Sequence, residues 1–208
     1  MLGIPTTYHG VRFRSRLEAR WAAFFDLLQW SWCYEPFDLD GWIPDFALKA
    51  DRPILVEVKP YFSLSQFIER PRYEHAMNAS DYVTNELLLL GADLVEQDEG
   101  LHKRSDDDVC IGWLGERWIK PAHPIDRCFE LAHLMQHQGR WGFGHAQGSW
   151  CSRFAIQCVD KEVAREEPNP CDCWSYPNKL LCDADDAYAF WRAAGNLVQW
   201  QSVRRVDA

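Results

Sequence analysis

An α/β domain built around a mixed sheet is the fold class this sequence predicts. Three observations carry that expectation. Leu17, Trp21, Phe24, Phe25 and Leu28 recur at three- and four-residue spacing, the mark of an amphipathic helix near the start. Ile54, Val56 and Val58 then alternate with Leu55, Glu57 and Lys59, the two-residue period of a strand. The order helix, strand, strand, strand, helix, strand that emerges along the chain asks for parallel as well as antiparallel pairing.

Residues 1–13 read as an irregular arm with a short strand. The first helix spans roughly 16–29, entered at Ser15. Residues 32–39 (WCYEPFDL) read as a strand interrupted at Pro36, and Trp42 to Leu48 as a second, with Pro44 near a bend. The third strand, 53–59 (PILVEVK), ends at Pro60. A helix is expected over 63–79, interrupted at Pro71. Glu86–Leu90 is a buried strand closed by Gly91. Residues 97–108 are an acidic loop, 109–119 a hairpin around Gly115, and 125–138 a helix. Residues 139–182 are rich in Gly, Pro, Cys and Trp, and 183–194 form a last helix with acids at its N-terminus. Residues 1–120 are taken as the core and 121–208 as a helical and irregular extension.

The bulk composition is that of a globular protein, 47% hydrophobic and 25% charged. No apolar run is long enough for a membrane span, and the start lacks the basic and apolar regions of a signal peptide. A cytoplasmic setting, with the eight cysteines mostly reduced, is therefore expected. The net charge of −9 argues against a polyanionic partner, but its distribution weakens the objection. Residues 1–80 carry nine Lys and Arg against ten Asp and Glu, a net of −1; residues 81–208 carry thirteen against twenty-one, a net of −8.

The chemistry concentrates in the first half. Asp45 follows Pro44 at a strand bend, and Glu57-Val58-Lys59 comes twelve residues later on the third strand. Glu57 and Lys59 are two apart, so both point to one face. Two carboxylates on neighbouring strands can converge on one divalent cation, and Glu18 on the first helix can supply a third. A lysine beside such a cation can orient or deprotonate a water and neutralise a phosphate.

The segments FRSRLEARW, IPDF and VEVK resemble the PD-(D/E)XK nuclease superfamily, through Glu18, Pro44-Asp45 and Glu57-Val58-Lys59. The nearest pattern is that of phage endonuclease I type Holliday-junction resolvases and TnsA-like transposon-end nucleases. The likeness covers residues 8–60, extends weakly to 86–90 and says nothing about 120–208. It implies a restriction-endonuclease-like core, a mixed sheet flanked by helices, and cleavage of DNA with Mg²⁺ or Mn²⁺. Asp45 and Glu57 would hold the metal, Glu18 would complete its shell, and Lys59 would be catalytic. A glutamine and tyrosine on the following helix mark exonuclease-like branches; Gln66 and Tyr73 are spaced differently, which tilts the expectation to an endonuclease.

Each piece has a plainer reading. Ser15 and Glu18 fit a capping box, Asp45 a turn, and Glu57 with Lys59 a cross-strand charge pair. Their occurrence in one order within about 45 residues favours the site. Arg12, Arg14 and Arg16 are candidate phosphate contacts; the alternative is a solvated face in which Arg16 or Arg20 pairs with nearby acids. Cys151, Cys158, Cys171, Cys173 and Cys182 with His145 are poorly spaced for structural zinc. His133 and His137, four apart on the expected helix, are read as packing or solvated. Trp113, Trp118, Trp141, Trp150, Trp174, Trp191 and Trp200 are read as core. The competing readings are a junction resolvase, which a two-site homodimer would suit, and a non-catalytic module binding nucleic acid or, through the acidic second half, a basic protein.

Overall fold

The computed structural model describes residues 3–39, 41–49, 53–69, 86–95, 109–115, 129–137, 140–145 and 184–199. The arm folds as a hairpin of β1 (Thr6–Tyr8) and β2 (Val11–Phe13). Its two-residue turn places His9 and Gly10 at φ 46° and 80°, the left-handed pair that matches strand twist and that a glycine accepts without strain. Helix α1 (Arg16–Leu27) follows at once, because the Ser15 side chain accepts the Glu18 N–H and caps it. Trp21, Phe24 and Phe25 on its inner face are fully buried.

Among the described residues one seven-stranded sheet runs in chain order: β3 (Trp32–Tyr34), β4 (Phe46–Leu48), β5 (Ile54–Val58), β6 (Glu86–Leu90), β7 (Cys110–Gly115), β8 (Phe129–His137) and β9 (Arg140–His145). Only β5 and β6 pair in parallel; every other neighbour pair is antiparallel. A parallel pair needs a crossover, and α2 (Leu64–Ile68) lies in that connection. The sheet is buried on both faces. Val56, Val58, Leu88 and Leu90 pack with α1 and with α3 (Ala184–Leu197). Leu55, Leu87 and Leu89 pack on the other side with Phe67 of α2 and Trp113. The α/β class with a mixed sheet therefore holds. At Gly112 a side chain has no room, since a Cβ would sit 2.1 Å from the Leu89 carbonyl oxygen of the adjoining strand.

The second half departs from the expectation at β7, at β8 and at β9, which lies where a helical and irregular extension was expected. The helix expected over 125–138 is strand β8. Phe129-Glu-Leu-Ala-His-Leu-Met-Gln-His is rich in helix formers, but pairing to β7 on one side and β9 on the other overrides that preference. The hairpin around Gly115 is likewise a continuous strand ending at Gly115, whose antiparallel partner begins at Phe129. The sheet therefore runs on past residue 120, where the sequence reading closes the core. His133 is buried on β8, its Nδ1 3.6 Å from Cys110 Sγ, instead of sharing a helix face with His137. The final helix lies where expected and extends to Leu197.

Helix α3 closes over α1 through aromatic contacts. The Trp21 and Trp191 ring centroids are 4.4 Å apart, and the Arg20 guanidinium lies 3.7 Å above the Trp191 ring while donating to its carbonyl. Trp113, Trp141 and Trp191 are buried as expected. Trp118, Trp150, Trp174, Trp200, Tyr73, the acidic loop and the five distal cysteines lie outside the described residues, as does the side chain of His145. No helix among the described residues is long and apolar enough to cross a membrane.

Candidate active site

Strand register brings the site together. Phe46 lies opposite Val56 on β5 and opposite Tyr34 on β3. Continuing both registers by one residue sets Glu35, Asp45 and Glu57 in a row across three strands. The Glu35 N–H donates to the Asp45 carbonyl at 3.0 Å, which continues the β3–β4 ladder. This row stands at the carboxyl end of β5, beside its parallel partner, the edge where open α/β sheets offer their crevices.

Lys59 Nζ joins two members of the row, 2.5 Å from Glu57 Oε1 and 3.1 Å from Asp45 Oδ2. It also donates to the Val58 carbonyl at 2.9 Å. Asp45 is almost wholly buried, at 1% exposure, and its Oδ2 accepts the Val58 N–H at 2.7 Å. Its other oxygen meets the Arg14 guanidinium. Trp42 closes the site, donating its indole N–H to Glu57 Oε2 at 3.2 Å.

The structure thus unites Asp45, Glu57 and Lys59 directly, while Glu18 is joined to them through Arg14. The Arg14 Nε lies 3.0 Å from Glu35 and 3.8 Å from Glu18. The Glu18 carboxylate is already engaged by three donors: the Tyr34 hydroxyl at 2.6 Å, the Ser15 hydroxyl at 2.9 Å and the Arg14 N–H at 3.2 Å. The capping reading of Ser15 is met in part, since its hydroxyl does cap the helix. Glu18 reaches the Arg14 N–H in place of the Ser15 N–H that a capping box would use. Among the described residues no three His, Cys, Asp or Glu side chains gather as a metal-binding group.

Of the three arginines read as phosphate contacts, Arg12 and Arg16 are exposed and take no part in this cluster. Arg14 lies within it. Glu35, Tyr34 and Trp42 were not singled out from the sequence. Their roles depend on the β3–β4 register and on the loop between those strands, which no local pattern specifies. Glu35 adopts φ 44°, a left-handed conformation that costs a non-glycine residue about 1 kcal/mol or more and that brings its carboxylate to Arg14. Gln66 turns back to accept the Phe62 N–H.

No protein-family model, curated protein or solved structure matches this chain.

Electrostatics separate the roles of these groups. Burial, and then the neighbouring Asp45 charge, push the Glu57 carboxyl up to about 7, and Lys59 and the Trp42 N–H offset this only in part. Burial acts against the Lys59 ammonium, but Glu57 and Asp45 outweigh it and the lysine is held in its charged form. Arg14 is likewise raised, burial being outweighed by Asp45, Glu18 and Glu35. In this arrangement Lys59 acts as a fixed positive charge rather than as a proton acceptor.

The Glu57 shift has a measurable consequence. Its folded value lies above the ordinary 4.5, so the stability linked to its protonation is complete below about 4.5 and is lost as pH rises through about 7. Glu57→Gln mimics the protonated acid. In EDTA the variant should melt at a higher temperature than wild type at pH 8, and the gap should close towards pH 5. Thermal melts of the two proteins across that range check both the sign and the window.

Proposed function

We propose that this protein is a divalent-cation-dependent DNA endonuclease with a restriction-endonuclease-like core. The observation that carries this is Lys59 bridging Asp45 and Glu57 at the carboxyl end of β5. The succession α1, β3, β4, β5, α2, β6, an antiparallel meander followed by a parallel crossover, supports the fold reading. So does the order of Glu18, Asp45, Glu57 and Lys59 along it. With all groups ionised, four carboxylates (Glu18, Glu35, Asp45, Glu57) face two cations (Arg14, Lys59), leaving a formal −2 that a divalent ion would balance. Carboxylate oxygens suit Mg²⁺ or Mn²⁺. Asp45 and Glu57 would hold the ion, and Glu18 would act behind them by fixing Arg14 and Tyr34.

When bound, the cation would supply charge for the phosphate and a more acidic water. The chain's own groups do the rest. Lys59 neutralises charge beside both carboxylates. The Val58 N–H fixes the rotamer of Asp45. Trp42 covers Glu57 and keeps it desolvated. Arg12 and Arg16, exposed and two residues to either side of Arg14 in the chain, are suited to phosphate contact along a DNA backbone.

Supercoiled plasmid, nicked circle and a four-way junction, each incubated with Mg²⁺, Mn²⁺ or EDTA, test the reading. Strand cleavage in either metal and none in EDTA is expected. Preference for the junction would assign a resolvase. Intact substrates in all conditions would leave a non-catalytic binding module.

A further inference from the structure

We propose that Arg14 is the resident counter-cation of this site: its guanidinium holds Asp45 until a divalent ion takes its place. The inference rests on the metal-dependent reading above and adds to it the residue with which the ion must compete. Both oxygens of Asp45 are engaged, one by Arg14 and the other by the Val58 N–H and Lys59. The Val58 N–H belongs to strand β5 and cannot withdraw without opening the sheet. Lys59 is tied to two carboxylates and the Val58 carbonyl, with only 28% of its side chain exposed. Arg14 has 55% of its side chain exposed and stands just past the hairpin of β1 and β2, so it is the donor best able to leave.

The geometry also offers Arg14 a seat to leave for. Its Nε already lies 3.0 Å from Glu35, and its backbone stays anchored by N–H bonds to Glu18 and the Tyr34 hydroxyl. Only the side chain needs to turn. A guanidinium freed from Asp45 presents a fork matched to a phosphate. Release of Arg14 by a metal and its capture by a DNA phosphate therefore favour each other, so the two ligands should bind with positive coupling.

Mn²⁺ binding to the whole chain, followed by the paramagnetic resonance of the free ion and without DNA, tests this. Arg14→Gln should bind Mn²⁺ about tenfold or more tightly than wild type, since a competing charge in contact with a ligand is gone. Arg16→Gln removes the same charge from an exposed position outside the cluster and should change affinity by less than about threefold in partly screened surroundings. Arg14→Lys keeps the charge but cannot span Asp45 and Glu35, and it should fall between wild type and Arg14→Gln; it also carries the test if Arg14→Gln fails to fold. Equal tightening by Arg14→Gln and Arg16→Gln would reduce the effect to the general field and overturn the proposal. An Arg14→Gln protein no tighter than a wild type that binds Mn²⁺ would overturn it while leaving the nuclease reading in place. Absence of binding in wild type and both Arg14 variants would overturn both.

Discussion

Lys59→Ala is expected to lower the rate of the proposed DNA cleavage by about 10²- to 10³-fold, the usual loss when one fixed electrostatic stabiliser is removed from a catalytic site. The reason is local. Lys59 is the cation that contacts both Asp45 and Glu57, and no other described positive side chain reaches Glu57. In the proposed reaction its loss removes a charge held ready for the phosphate. It also leaves two buried carboxylates to repel each other, which raises Glu57 further. Mn²⁺ affinity should survive or increase, because the ion then replaces the missing ammonium. That combination, cleavage lost and metal retained, separates a role in the reaction from a role in metal binding. Lys59→Arg, which keeps the charge on a bulkier head, should restore only part of the rate.

Trp21→Ala carries the largest expected loss of stability, about 3–5 kcal/mol, from lost burial and the cavity that remains. Trp21 is fully buried on α1, packs against Phe24, Phe25 and Trp191, and donates its indole N–H to the Gly91 carbonyl at 3.0 Å. The substitution therefore empties the seam between α1, α3 and the end of β6, and strands a buried acceptor as well. Domains of this size are stable by about 5–15 kcal/mol, so about a fifth or more of the margin is at stake. A urea titration should show the midpoint falling steeply. Trp21→Phe, which fills most of the volume without the N–H, should lie between.

The sequence spoke most clearly where one period served one burial pattern. Helix α1 and its C-cap carry Leu17, Trp21, Phe24, Phe25 and Leu28 at helical spacing, and all but Leu17 are buried. The alternation in 53–59 places Glu57 and Lys59 on one face, and they meet there at 2.5 Å. The reading failed at β8, where residues of high helix propensity alternate across a sheet buried on both faces. β8 sends Leu131 to one face of the sheet and Ala132 and Leu134 to the other, so neither period stands out and helix propensity misleads. Gly115 resembles a turn residue, but it ends a strand whose partner lies more than ten residues on.

Within the site, Asp45, Glu57 and Lys59 were legible because strand geometry relates neighbouring residues simply. Arg14 was read as a phosphate contact, yet its side chain lies across Asp45, Glu18 and Glu35. Nothing local to residues 12–16 indicates that. The contact arises from the turn at His9 and Gly10, the Ser15 cap and the pairing of β3 with β4 acting together. Glu35 went unnoticed for a related reason: it joins the row only through the register of two three-residue strands.

Asp45, Glu57 and Lys59 are proposed to form a cation-dependent site that hydrolyses DNA. Nicking of supercoiled plasmid, timed for wild type and Lys59→Ala side by side in Mg²⁺ and in EDTA, tests this most directly. Relaxed circles are expected from wild type in Mg²⁺, none in EDTA, and a folded Lys59→Ala protein should leave the plasmid supercoiled. Equal nicking by the two proteins, or an untouched plasmid after prolonged incubation of folded wild type with Mg²⁺ and with Mn²⁺, would contradict the proposal.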